Sequence, residues 1–172
     1  MKVLDEIVHI LELIIKAIVA FLVLALVVIV FAQVILRYIF HTGLAWNDEG
    51  SRFLFIWVVF MSIPMATLHN GHMKLDMLSN RFPKIKPVLE VLGWVCLVVF
   101  FGIAGFYGVE YAVDNAEKIA GSVGISYFYV YLVLPLSCGL SIFFLIYRAI
   151  KRLVEGEDAL HQEVVDYEGG ED

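Results

Sequence analysis

The sequence predicts an all-α integral membrane protein with four transmembrane helices, short interfacial helical segments and both termini on the cytoplasmic side. Three observations predict it. First, 61% of the 172 residues are hydrophobic and the mean hydropathy is +0.86, whereas soluble domains are about 45–50% apolar. Second, four runs carry no Asp, Glu, Lys or Arg: residues 17–36, 53–68, 91–109 and 125–147. At 1.5 Å per residue they reach roughly 30, 24, 28 and 34 Å, against a hydrocarbon core of about 30 Å. Third, the cations are distributed unevenly between the two faces. Lys2, Lys16, Lys74, Arg81, Lys84, Lys86, Arg148, Lys151 and Arg152 fall on the terminal side and in the central loop. Only Arg37, Arg52 and Lys118 fall on the other side, and an excess of Lys and Arg marks the cytoplasmic face. Residues 1–152 thus form the membrane domain, with spans at about 14–38, 50–69, 88–111 and 125–148.

The first helix begins before its span, over about residues 3–38. Asp5, His9, Glu12 and Lys16 form one polar stripe along it, which fits an interfacial or partner-facing segment as well as a solvated extension. Glu12 and Lys16 are an i,i+4 pair in the favoured order. The N-terminus reads as an uncleaved anchor, because its apolar run is too long for a signal peptide and no small-x-small site follows.

The second helix opens on WNDEGSRFLFIW, residues 46–57. Asn47 is placed to cap it, with Asp48 and Glu49 in the first turn, where negative charge meets the positive helix end. Asp48 and Arg52 stand at i,i+4, and Arg37, at the end of the first helix, is within reach of these carboxylates. Trp46 and Trp57 bracket the motif, as aromatic residues do at headgroup depth. The cluster serves either a closed helix start or a surface for a partner.

Met73, Leu75, Met77, Leu78 and Phe82, interleaved with Lys74, Arg81, Lys84 and Lys86, suggest an interfacial segment before the third helix. Along that helix run Gly102, Gly105, Val109 and Ala112, with Ala104 and Gly108 as a second small pair. Small residues allow close helix approach in lipid, within this chain or against another. Pro64 and Pro135 sit inside the second and fourth helices and should kink them. After Arg152 the tail holds eight acids and neither Lys nor Arg, so residues 153–172 are expected to be solvated and disordered.

Little reactive chemistry is present. No ionisable residue falls near a midplane, where ion and substrate pathways place them. The histidines (His9, His41, His69, His72 and His161) lie at or beyond span ends, which disfavours haem. His69, His72 and Asp76 have a ligand-like spacing, but Gly71 interrupts it, and they read as polar residues at a helix end. Cys96 and Cys138 fall inside spans, as small apolar residues do. No catalytic group, cofactor, metal or nucleic-acid site is expected. A chain with no machinery of its own reads as a subunit.

Arg37-Tyr38-x-Phe40, then Trp46-x-Asp48-Glu49, then Arg52-Phe-Leu-Phe-x-Trp57 resembles the small, Q-type (DctQ-like) membrane subunit of TRAP transporters, the tripartite ATP-independent periplasmic transporters. His72 and Asp76 also fit, and the resemblance runs over about residues 10–152. This chain has Ser62 and Pro64 where members commonly carry a glycine. The resemblance implies a bacterial inner-membrane protein partnered by a large M-type subunit and a periplasmic substrate-binding protein. The large subunit would hold the substrate and sodium sites and move as an elevator, with the small subunit as scaffold and part of the docking surface. It implies uptake of an organic acid, a C4-dicarboxylate or a sialic acid, with a lean to the latter that no residue here supports. The alternative is a membrane anchor of a multi-subunit respiratory enzyme.

Overall fold

The computed structural model describes residues 2–41, 46–69 and 86–155. Among them, five helices follow in order: α1 (Lys2–Tyr38), α2 (Asn47–His69), α3 (Lys86–Asp114), α4 (Tyr127–Tyr131) and α5 (Val133–Glu155). Four segments are long and apolar enough to cross a membrane: Leu4–Tyr38, Asn47–His69, Leu92–Asp114 and Tyr127–Lys151. The protein is therefore an all-α integral membrane protein with four spans. The cationic 2–3 segment, with His72 and Asp76, and the acidic tail after Glu155 lie outside the described residues.

The helices form a row. α1 packs on α2, α2 on α5, and α5 on α3, with the short α4 against α3. α2 and α5 run parallel. Phe53, near the start of α2, meets Tyr127 of α4, which opens the last span, and Arg148 of α5 donates to the Thr67 carbonyl near the end of α2. α5 is the central element and carries the deepest burial, with Val133, Ser137, Ser141 and Phe144 fully enclosed. Its two serines suit that place because they are small and bond to their own helix. Ser141 donates to the Ser137 carbonyl at 2.8 Å and Ser137 to the Leu134 carbonyl at 3.2 Å. α1 and α3 flank the row and expose large apolar side chains, Phe21 and Phe31 on one and Phe100 and Phe106 on the other. An apolar surface of that extent suits lipid or another apolar chain.

The structure bears on three expectations. First, the polar stripe of α1 turns inward only in part, since His9 and Lys16 are exposed. Glu12 is buried; it takes Lys16 at 2.7 Å and meets His69 of α2 at 3.1 Å. Tyr147 of α5 donates to Asp5 at 2.6 Å. Burial of the Glu12 carboxylate is thus offset by partners one turn on and on the next helix. Second, Pro135 interrupts the last span, as expected of a proline inside a helix. It has no N–H for the Tyr131 carbonyl, and the chain divides there into α4 and α5, with Leu132 between them. Third, the small-residue stripe of α3 is rotated. The enclosed positions are Phe101, Gly108 and Ala112, with Gly105 half-buried, whereas Gly102 and Val109 point outward. A Cβ at Gly105 would lie 3.3 Å from the Cys138 Cβ, and one at Gly108 would overlap Leu134, but one at Gly102 would meet nothing within 4 Å.

Candidate functional site

The polar residues singled out in the sequence gather where α1 ends and α2 begins, beside the loop between α3 and α4. Asn47 does not cap α2. The Gly50 N–H bonds to the Trp46 carbonyl at 2.9 Å, so the first helical turn closes on Trp46 and Asn47 is already inside it. The fully buried Asn47 side chain instead crosses to α1, where its Nδ2 donates to Gln33 Oε1. Gln33 Nε2 donates in turn to Asp48 Oδ1 at 2.9 Å. Gln33 thus joins the two helices. It stands out in the sequence as the one strongly polar residue in the run 17–36, near the outer end of its helix, but nothing in the sequence names its partners.

Asp48 and Glu49 are one position apart, about 100° around a helix, and serve different neighbours. Asp48 faces α1. Glu49 faces the α3–α4 loop, where its Oε2 accepts the Ser122 N–H at 2.8 Å. Glu49 is thereby tied to a short hairpin in which Ile119 bridges Ser126 and Gly124 takes a positive φ of 72°. Ser126 caps α4, accepting the Phe128 N–H at 3.2 Å and donating to the Ala116 carbonyl at 2.6 Å.

The expected pairing of Asp48 with Arg52 is not formed. Among the described residues the ion pairs within 4 Å join Glu12 to Lys16 and to His69. Arg37 does not close on the carboxylates either; it is exposed, and Gln33, one turn earlier, takes that role. Arg52 and Tyr38 are exposed, Trp46 is 42% exposed with its ring over Gly50, and Trp57 is half-buried. Arg52 lines a cleft of about 420 Å³ with Glu49, Phe53, Asn115, Lys118, Tyr127 and Tyr131 among others. The motif therefore divides into a set bonded to neighbouring elements (Asn47, Asp48 and Glu49, of which Asp48 is itself exposed) and an outward set (Arg37, Tyr38, Arg52). No group of three or more metal-ligating side chains occurs among the described residues.

Residues 26–155 match the family model described as the DctQ component of tripartite ATP-independent periplasmic transporters. That is well over half of the chain. The chain belongs to the DctQ family. Relatives include the sialic acid TRAP transporter permease protein SiaT of Haemophilus influenzae, 30% identical over 122 residues that make up 67% of this chain and 19% of SiaT. The isethionate TRAP transporter permease protein DctMQ of Oleidesulfovibrio alaskensis is 26% identical over 68% of this chain and 20% of its own length. The ectoine TRAP transporter small permease protein TeaB of Halomonas elongata is 27% identical over 140 residues, 78% of this chain and 72% of TeaB. The chain thus spans about a fifth of the two larger relatives and most of the third. Membership in DctQ removes the respiratory-anchor alternative.

Proposed function

We propose that this DctQ chain is the small permease subunit of a TRAP transporter, a scaffold beside a large M-type subunit in sodium-driven, binding-protein-dependent uptake of an organic acid. One observation carries the scaffold role. The ionisable side chains of the spans stand at their ends, and residues 17–36, 53–68, 91–109 and 125–147 hold no acid, Lys or Arg. A chain that carried an ion or a charged solute across would need polar groups there. The stitched ends support the same reading. Gln33 locks α1 to α2 at one end, and Glu12 and Tyr147 tie α1 to α2 and α5 at the other. Such ties suit an element that stays still while another moves.

The name DctMQ joins two components in one relative, and that supports the M-type partner. The apolar flanks of α1 and α3 supply the area for it. Of the outward set, Arg37 and Tyr38, which lie outside the cleft, would face the large subunit or the docked binding protein at the periplasmic face of the inner membrane. The relatives are named for sialic acid, isethionate and ectoine at similar identities, which supports substrate choice lying outside this chain. Sialic acid is the first substrate to test.

Reconstitution decides the matter. In liposomes the chain alone should move no sialic acid or C4-dicarboxylate. Addition of the large subunit, the binding protein and an inward sodium gradient should give uptake that is lost when the chain is left out. Uptake by the chain alone, or undiminished uptake without it, overturns the proposal.

A further inference from the structure

We propose that the cleft between α2, α3 and α4 holds the phosphodiester headgroup of an anionic membrane phospholipid, clamped between Arg52 and Lys118. This rests on the transmembrane reading of the chain but not on its role in transport.

The cleft encloses about 420 Å³, within the range of small-molecule sites. Its walls combine two chemistries. Phe53, Ile56 and Val130 are apolar, while Arg52 and Lys118 bring positive charge to the mouth. Neither cation forms an ion pair among the described residues. Lys118 donates to the neutral Asn115 Oδ1 at 2.9 Å, and Asn115, itself buried, is held by the Tyr111 carbonyl at 2.7 Å. The acid in the cleft, Glu49, already accepts the Ser122 N–H. Two cations against one carboxylate leave a formal excess of one positive charge, which complements a singly charged phosphodiester. Guanidinium and ammonium groups are the usual partners of phosphate oxygens.

Depth selects a lipid as the source. Trp46, Tyr107, Tyr111, Tyr127, Tyr129 and Tyr131 gather at this end of the row. Aromatic belts of that kind mark the headgroup layer, where lipid phosphates lie. The neighbouring groove on α3, with Ala104, Gly108 and Leu134, carries Glu110 and Asp114 and no cation, so a phosphate is directed to the first cleft. Tyr127 and Tyr131 stack at 5.9 Å and Tyr111 meets Tyr131 at 4.7 Å, which gives the cleft an ordered aromatic wall.

The full chain, purified in mild detergent, is titrated with dioleoylphosphatidylglycerol and followed by native mass spectrometry. One lipid per chain should be retained, and Arg52→Gln with Lys118→Gln should lower its affinity about tenfold, the loss expected for two charge-assisted contacts. Arg52→Lys with Lys118→Arg should keep it. Helicity and elution volume report folding; if the double variant fails to fold, the exposed Lys118→Gln alone must weaken binding about threefold. Four results overturn the proposal: affinity unchanged in the glutamine variants, equal binding of dioleoylphosphatidylcholine, displacement of the lipid by millimolar inorganic phosphate, or loss of binding-protein docking in the glutamine variants with lipid affinity intact. The third would mark a site for free anions, and the last would assign the two cations to a protein carboxylate.

Discussion

Asn47 is oriented from a distance. An ionised Asp48 can only accept, so it fixes Gln33 with its Nε2 towards α2. Gln33 Oε1 is then turned to Asn47, which must present Nδ2. The remaining Asn47 Oδ1 is buried with no hydrogen-bond partner, a cost of about 1–3 kcal/mol that the other contacts offset. Replacing Gln33 by Leu removes two of these hydrogen bonds and strands the Asn47 amide. It should lower stability by about 1–3 kcal/mol. Arg37→Ala, at an exposed side chain, should stay within about 0.5 kcal/mol. Thermal unfolding of the purified chain ranks the two, and equal midpoints would remove Gln33 from its role. The motif was legible in the sequence as a charged helix start, but its partners were not. Charge pairing directed attention to Arg37 and Arg52, whereas a glutamine one turn deeper supplies both a donor and an acceptor and needs no counter-charge to satisfy a buried amide.

At the scale of elements, helix existence was written in hydropathy, and the rotation of each helix was not. On α3 the small residues recur on more than one face, and spacing alone could not tell which face meets α5. The structure places Gly108 against Leu134 and leaves Gly102 open. Gly108→Val should therefore cost about 1–3 kcal/mol by overpacking, and Leu134→Ala should relieve part of that cost in the double variant. Gly102→Ala should be neutral or slightly stabilising, since alanine is the better helix former. Equal losses at the two glycines would place both on a packed face and contradict the rotation. The same logic applies at the far end of α1. Glu12→Ala removes a buried carboxylate that joins α1 to His69 of α2, and should destabilise the chain by about 1–3 kcal/mol.

For the whole molecule, hydropathy reports how deep a residue lies but not which helix is its neighbour, so four spans were legible while their order in a row was not. A few side chains set part of that order, chiefly Phe53 on Tyr127 of α4 and Arg148 of α5 on Thr67, which align α2 in parallel with the last span. Orientation in the membrane is a separate matter, and it rests on charge. Nine cations against three predict both termini in the cytoplasm. On that expectation the Trp46 end of the row, with the outward set and the cleft, would face the periplasm. A phosphatase active only outside the cytoplasm should be silent when fused after Arg152 and active when inserted in the 121–124 turn. Adding two lysines beside Gly121 would narrow the count to nine against five and should begin to mix the two orientations, because the bias depends on Lys and Arg near the span ends. The reverse pattern in the unmodified chain would put Arg52 and Lys118 in the cytoplasmic leaflet. The clamp would survive that result, since its geometry is internal to the chain, but the outward set could no longer meet a periplasmic partner.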